Sequence, residues 1–261
     1  QVKKVTDLAR EIGYQSINFD LIYGLPGQTN ETVEATIDQT LGLRPDRIAF
    51  YSYAHVPWMK PAQRSFEKYL PTGPEKRSLY ELGKIKLEEA GYVEIGMDHF
   101  SLPSDELGQA FGTGDLHRNF MGYTTRQTQT MIGLGASSIS DLWTAFAQNE
   151  KSIEGYLAQI EKGELPLTRG HVLNGEDLSV RRNILDLMCT FKTSFEAWDL
   201  EEVDELINRL HEMETDQLIR WTGHVLEVLP AGIPFVRNIC MALDLRMLAS
   251  KPATELFSQT V

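Results

Sequence analysis

Cysteine is nearly absent from this sequence: Cys189 and Cys240 are the only two in 261 residues. A pair so far apart, with no Cys-x-x-Cys, excludes a disulfide scaffold and cannot by itself hold an iron–sulfur cluster or a structural zinc. Such scarcity fits a reducing, cytoplasmic compartment. Long apolar runs are missing as well. None approaches the ~18–20 residues that span a bilayer, and no charged-then-apolar stretch of the signal-peptide kind stands at the start, so no membrane partner is expected. Basic residues are in deficit, 25 Lys and Arg against 37 Asp and Glu, for a net charge of −12. That balance argues against nucleic acid, because phosphate contacts need clustered Lys and Arg. Repeats and low-complexity segments are also absent.

What is there reads as a globular α/β chain, 42% hydrophobic and 24% charged, long enough for one large domain or two smaller ones. Val2, Val5, Leu8, Ala9 and Ile12 mark an amphipathic helix over 2–12, closed by Gly13. A strand over 16–23 follows, then a Gly-x-x-Gly turn, and a helix capped by Thr29 or Asn30 that "LRPDR" breaks. "IAFYSYA" is a second apolar strand. Helix, strand, helix, strand with short connections is the pattern of parallel α/β units covered on both faces. Downstream, Leu79, Leu82 and Ile85 mark another helix, and "YVEIGMDHF" reads as a short strand. Residues 101–130 read as irregular, 142–163 as helical. From 176 on, two amphipathic helices precede "HVLEVLPAGIPFVRNICMALD", which reads as strand, Ala-Gly turn, strand and helix, a winged-helix-like ending.

Asp20 is the notable acid. In the alternation Ile17-Asn18-Phe19-Asp20-Leu21-Ile22 it is expected to be buried or half-buried, which is costly for a carboxylate unless it is paired. Near the carboxyl end of a parallel strand it is either a strand-end structural acid or a ligand-binding one. "GLPGQT" has too few glycines for a dinucleotide fingerprint and no Lys for a P-loop, so it reads as a turn. His55 follows a strand directly. Asp98 and His99 are adjacent, so in a strand they point to opposite faces and do not pair. His117 and Arg118 either meet a carboxylate substrate or form a solvated loop pair, and the small residues of "MIGLGASSIS" would let a backbone approach a ligand.

Together, "INFDLIYGLPGQT", "YAHVP", "GYVEIGMDHF", "LHRNFMGYTT", "GLGASSIS" and "VRNICM" resemble the oxygen-independent coproporphyrinogen III oxidase family, radical S-adenosylmethionine enzymes of haem synthesis. "GMDHF" with "HRNFMGYTT" is similar to the oxidases more than to their haem-chaperone relatives. The resemblance implies the C-terminal part of an incomplete (β/α)6 barrel with its sheet extension over 1–170, and a mostly helical, winged-helix-like domain over 171–261. It implies two S-adenosylmethionines and a [4Fe–4S] cluster on a Cys-x-x-x-Cys-x-x-Cys motif. The reaction implied is decarboxylation of two propionates of coproporphyrinogen III to vinyls, with an electron donor for the cluster and an electron acceptor. Asp20 and Ala54 match positions at the second S-adenosylmethionine, and Ile139 one bordering the first; Arg118 and Tyr123 are candidate substrate contacts. A monomer is expected.

This sequence lacks the cysteine motif and begins without Met inside a helix–strand unit. The expectation is therefore a truncated chain, without radical activity alone, whose first strand leaves a sheet edge open. Two other readings stand beside it: a haem-binding or haem-transfer relative, and a winged-helix interaction module.

Overall fold

A computed structural model describes residues 1–250. α1 (Val2–Ile12) ends at Gly13, whose φ of 104° lets its N–H reach back to the Ala9 and Arg10 carbonyls. Its apolar stripe is left largely open: Val2, Val5, Leu8 and Ile12 are all exposed. β1 (Asn18–Tyr23), α2 (Asn30–Leu43), β2 (Arg47–Ser52) and α3 (Gly73–Glu89) follow. Thr29, not Asn30, caps α2, in a reciprocal pair of bonds with Thr32.

β1 and β2 pair in parallel, Asn18 beside Arg47 through Tyr23 beside Ser52. The sheet then turns antiparallel through β3 (Val93–Gly96) and β4 (His99–Ser101), in the order β1-β2-β4-β3, with β1 at an open edge. It does not close into a barrel among the described residues. The single strand expected over 92–100 is thus a hairpin, because Met97 and Asp98 both take positive φ, 44° and 66°, and reverse the chain in two residues. On α3 the expected stripe is rotated: Leu79, Tyr80, Gly83 and Leu87 are buried while Ile85 is exposed. Bare Gly83 admits the Phe50 ring, and this decides which side of the helix faces the sheet.

The 101–130 stretch is more ordered than its polarity suggests. Asp105 caps α4 (Glu106–Thr113) through the Leu107 N–H, and β5 (His117–Asn119) and β6 (Gly122–Thr124) form a hairpin. The helix expected over 142–163 is real only as α5 (Ile153–Glu161). Residues 145–149 are instead β8, between β7 (Ile139–Asp141) and β9 (Leu167–Val172) in an antiparallel sheet. Pairing on both sides overrides the helical periodicity there, and Ser152 starts the helix later by accepting from the Gly155 N–H.

The remaining elements are α6 (Gly175–Thr190), β10 (Lys192–Ser194), α7 (Leu200–Thr215), β11 (Ile219–Thr222), β12 (Val225–Val228), α8 (Val236–Leu243) and α9 (Leu245–Ser250). Helices with the ribbon β10-β12-β11 give the winged-helix-like outline. The expected strand after the Ala-Gly turn is not formed. Pro230 and Pro234, which lack N–H donors, hold residues 230–235 in a 3-10 turn, and β12 pairs upstream with β11 instead. One core gathers Ile37, Ile48, Phe50, Leu87 and Phe100 under the first sheet. A second gathers Leu187, Phe195, Leu206 and Ile239 among the later helices. A third, small one joins Ile95 of β3 and Leu107 of α4 to Cys189 of α6, so the two halves share packed side chains.

Candidate functional site

The four-stranded sheet has one face packed on α2 and α3; on the other face α4 and α6 cover β3 through Ile95, while the Asp20 side of β1 is exposed. Along β1, Leu21 and Tyr23 turn to the core while Asn18, Asp20 and Ile22 are exposed. Asp20 is therefore not buried, contrary to its expected position: nothing among the described residues covers that face of β1. Its carboxylate accepts from Asn18 Nδ2 at 2.8 Å. Register carries the row across the sheet, Asp20 beside Ala49 and Ala49 beside His99. Neighbours in register share a face, so Asp20 and His99 flank a small residue on one surface.

Aromatic side chains extend this row. The His99 ring meets Tyr51 edge-on at 5.7 Å and Tyr123 at 5.4 Å between centroids. Arg118, opposite Tyr123 in the β5–β6 hairpin, stacks its guanidinium 4.6 Å above that ring. Arg118 Nη1 is buried with no hydrogen-bond partner, and the residue also lines one end of a cleft of about 730 Å³ against α6. The Tyr123 hydroxyl donates to the Met188 carbonyl of α6 at 2.9 Å, so the ring rather than the hydroxyl faces the site. Gly96 is required beneath it: a Cβ there would come 2.7 Å from the Tyr123 hydroxyl. Burial, then the Asp20 charge, raises the Tyr51 hydroxyl pKa. Burial, helped by Arg118, lowers that of His99, against the pull of Asp20.

Ala54 lies exposed just beyond β2, where the Tyr53 N–H bonds the Tyr23 carbonyl at 2.8 Å and extends the ladder past the strand end. Gln63 fixes this loop, donating to the Ala54 carbonyl at 3.1 Å and accepting from the Val56 N–H at 2.7 Å. Ile139 sits elsewhere, on β7 of the small sheet. The glycine-bearing segment before it is folded onto its own sheet. A Cβ at Gly133 would meet the Ile139 carbonyl oxygen at 2.7 Å, and Asn149 Nδ2 bonds the Gly133 and Gly135 carbonyls. Asp20, Tyr123 and Arg118 are thus brought to one wall, Ala54 to the end of the adjoining strand, and Ile139 to a separate sheet.

Sequence reading missed Tyr51 and undervalued His99, which was weighed only as a partner for Asp98. The signal lies in the register of three strands, which single-strand alternation does not supply. Asp98 does face away: it lines a small cavity of about 60 Å³ with Arg77, Glu94 and Arg237. Burial, then Glu94, pushes its carboxyl up to about 7 against the nearby arginines. His55 bonds Glu67 at 3.0 Å. His117 lines a different cavity from Arg118, on the other side of the hairpin. Burial raises the Cys189 and Cys240 thiols to about 11 and about 12, which suits inert core residues. Among the described residues no group of three His, Cys, Asp or Glu could hold a metal ion, and no helix is long and apolar enough to cross a membrane.

No family model matches the sequence. Known proteins do. The oxygen-independent coproporphyrinogen III oxidase of Synechocystis is 39% identical over 272 residues, covering 99% of this chain and 58% of that protein. The enzyme of the same name from Thermostichus vulcanus is 39% identical over 254 residues, covering 92% of this chain and 77% of the relative. A solved structure of coproporphyrinogen III oxidase from Escherichia coli, described as a radical SAM enzyme, superposes with a TM-score of 0.88 at 36% identity, over 94% of this chain and 58% of that one. The chain thus spans little more than half the length of several of the relatives it matches. With the motifs, the fold and relatives of this identity in agreement, the chain belongs to the oxygen-independent coproporphyrinogen III oxidase family.

Proposed function

We propose that this chain forms the substrate wall and second-cofactor side of an enzyme that oxidatively decarboxylates coproporphyrinogen III to protoporphyrinogen IX in the cytoplasm, as a monomer. One observation carries the reading: Asp20, Tyr51, His99, Tyr123 and Arg118, from five strands, converge on the side of the first sheet that faces away from α2 and α3. An aromatic wall suits a flat, apolar macrocycle. A guanidinium with an unpartnered nitrogen suits a propionate.

Among the described residues the donor set does not fit a [4Fe–4S] cluster, because the two thiols are buried and no third ligand joins them. No step is assigned to this chain through such a cluster, which in the family is held by a cysteine motif that this sequence lacks. S-adenosylmethionine fits better. The exposed Asp20 carboxylate, oriented by Asn18, can accept from its ammonium or ribose hydroxyls, and the Ala54 loop, pinned by Gln63, gives a fixed backbone edge past the end of the adjoining strand. Once bound, S-adenosylmethionine would supply the hydrogen-atom acceptor of the reaction. Each propionate loses a hydrogen atom from its β-carbon, then CO2 and one electron, and is left as a vinyl group. An electron donor and an acceptor complete the balance. The residues here bind and orient: Arg118 holds a propionate, the Tyr51, His99 and Tyr123 rings pack on the macrocycle and keep water away, and Asp20 retains the second S-adenosylmethionine. The division at residues 170 and 171 into barrel part and helical domain belongs to the same proposal, as does the place of Ile139 beside the first S-adenosylmethionine.

The gene-encoded protein that contains this chain, reconstituted anaerobically with iron and sulfide, is expected to convert coproporphyrinogen III while consuming S-adenosylmethionine. Asp20→Asn and Arg118→Leu are each expected to lower kcat/KM at least ten-fold, the cost of one charge-assisted hydrogen bond of about 1.5–3 kcal/mol. Stoichiometric haem binding without vinyl product, or a parent protein without the three-cysteine motif, would overturn the reading.

A further inference from the structure

We infer that His99 binds the tetrapyrrole directly, accepting a pyrrole N–H through Nε2. This rests on the functional reading above and names a recognition contact within it. The tautomer is set by geometry. His99 Nδ1 lies 2.8 Å from the Met97 carbonyl oxygen; a carbonyl only accepts, so Nδ1 carries the ring proton and the neutral imidazole keeps its lone pair on Nε2. The ring cannot swing away easily, because Tyr51 and Tyr123 pack edge-on against it at interplanar angles of 84° and 78°. Gly122, at φ 139°, lies beside Nε2: a Cβ there would come 3.9 Å from it, an ordinary contact distance that leaves the nitrogen uncrowded. Burial and Arg118 further favour the neutral ring, with Asp20 and the Met97 and Gly96 backbone opposing.

A fixed lone-pair acceptor within an aromatic wall calls for a ligand that is flat, apolar and an N–H donor. A porphyrinogen has that chemistry, since each of its pyrrole nitrogens carries a hydrogen. The carboxylates of the same molecule have their own partner in Arg118, whose guanidinium stacks on the shared Tyr123 ring at 4.6 Å. His99 and Arg118 thus read two different groups of one substrate from a common support.

The test uses this chain with 15N-labelled histidine, titrated anaerobically with coproporphyrinogen III and separately with S-adenosylmethionine. Coproporphyrinogen is expected to move the His99 Nε2 resonance upfield, as an acceptor nitrogen does, with Nδ1 unchanged. His99→Phe keeps the edge contacts and removes the acceptor, and should weaken coproporphyrinogen binding about three- to ten-fold, the worth of one neutral hydrogen bond. His99→Gln places an amide oxygen near Nε2 and should restore most of that loss. Unaltered binding in His99→Phe, equal loss in both variants, or an Nε2 shift produced by S-adenosylmethionine alone would each overturn the His99 assignment while leaving the wider reading in place. No binding of coproporphyrinogen by the unaltered chain would overturn the His99 assignment, and no binding by the gene-encoded protein that contains it would overturn both.

Discussion

Gly83→Ala is a one-methyl change whose outcome two opposing effects decide. Gly83 lies in the interior of α3, where alanine is ordinarily the better residue by ~1 kcal/mol. At this position, however, a Cβ would stand 2.3 Å from Phe50 Cε1 and 2.7 Å from Cζ. Phe50 cannot give way cheaply: it is 2% exposed, 4.8 Å from the Tyr23 ring and stacked on Tyr80 at 6.1 Å. Relief requires α3 to lift from the sheet or Phe50 to leave its rotamer, at about 1–3 kcal/mol or more in a packed core. The clash wins, and a net loss of ~1–2 kcal/mol is expected. Gly42→Ala is the control, because a Cβ there meets nothing within 4 Å in the last turn of α2; it should be neutral or stabilising by a few tenths of a kcal/mol. Urea unfolding followed by far-UV circular dichroism reads both, at unchanged m-value. Equal or greater stability of Gly83→Ala would show that Phe50 does not fill the space over α3.

Three further outcomes are expected. Asp98 holds its proton up to about pH 7 when folded, against an ordinary value of 3.8. Its contribution to stability is therefore complete at low pH and is lost as pH rises through about 7, by up to ~1.4 kcal/mol per pH unit; unfolding of the wild type against Asp98→Asn between pH 4.5 and 8 should show the gap shift in favour of the variant. Gly96→Ala, at φ 133° and against the Tyr123 hydroxyl, should cost ~1–3 kcal/mol in urea unfolding and make the Tyr123 ring signals mobile by NMR. Asp141→Ala leaves Arg181 without the carboxylate it meets at 2.7 and 3.0 Å in a largely covered site, and should lower stability by ~3 kcal/mol, with Arg181→Met in the same background recovering part of it.

Much of this architecture was legible in the sequence because it rests on local rules. Gly13 and Arg44-Pro45 end helices where left-handed backbone and proline must end them. The period-2 alternation around Asp20 set the strand and the side of the chain on which the acid lies. Its exposure was not legible, since burial depends on what covers that face. The strand at 145–149 was hidden because β8 is held by partners on both sides rather than by its own periodicity. Tyr51 and His99 were out of reach for a related reason: only the register Ala49 beside His99 and the adjoining Ile22 beside Tyr51 puts them with Asp20.

The β3–β4 turn explains how two adjacent residues serve different surfaces, and what the helical half contributes. Positive φ at Met97 and Asp98 sends Asp98 into the cavity beside Arg237 of α8 and leaves His99 on the sheet face that turns away from α2 and α3. Gly96, one residue earlier, makes room for Tyr123, whose hydroxyl is tied to Met188 of α6. The same short hairpin is thus anchored to α8 on one side and, through Tyr123, to α6 on the other, while Ile95 joins Cys189 in the shared core. A nucleic-acid role for the winged-helix-like half has poor support in its charge: α7 carries Glu201, Glu202, Asp204, Glu205, Glu212 and Glu214 against Arg209. Its contacts point instead to mechanical support. On the function proposed here, the second domain is the clamp that keeps Tyr123, and through it His99 and Arg118, in the fixed geometry that recognition of a rigid macrocycle requires.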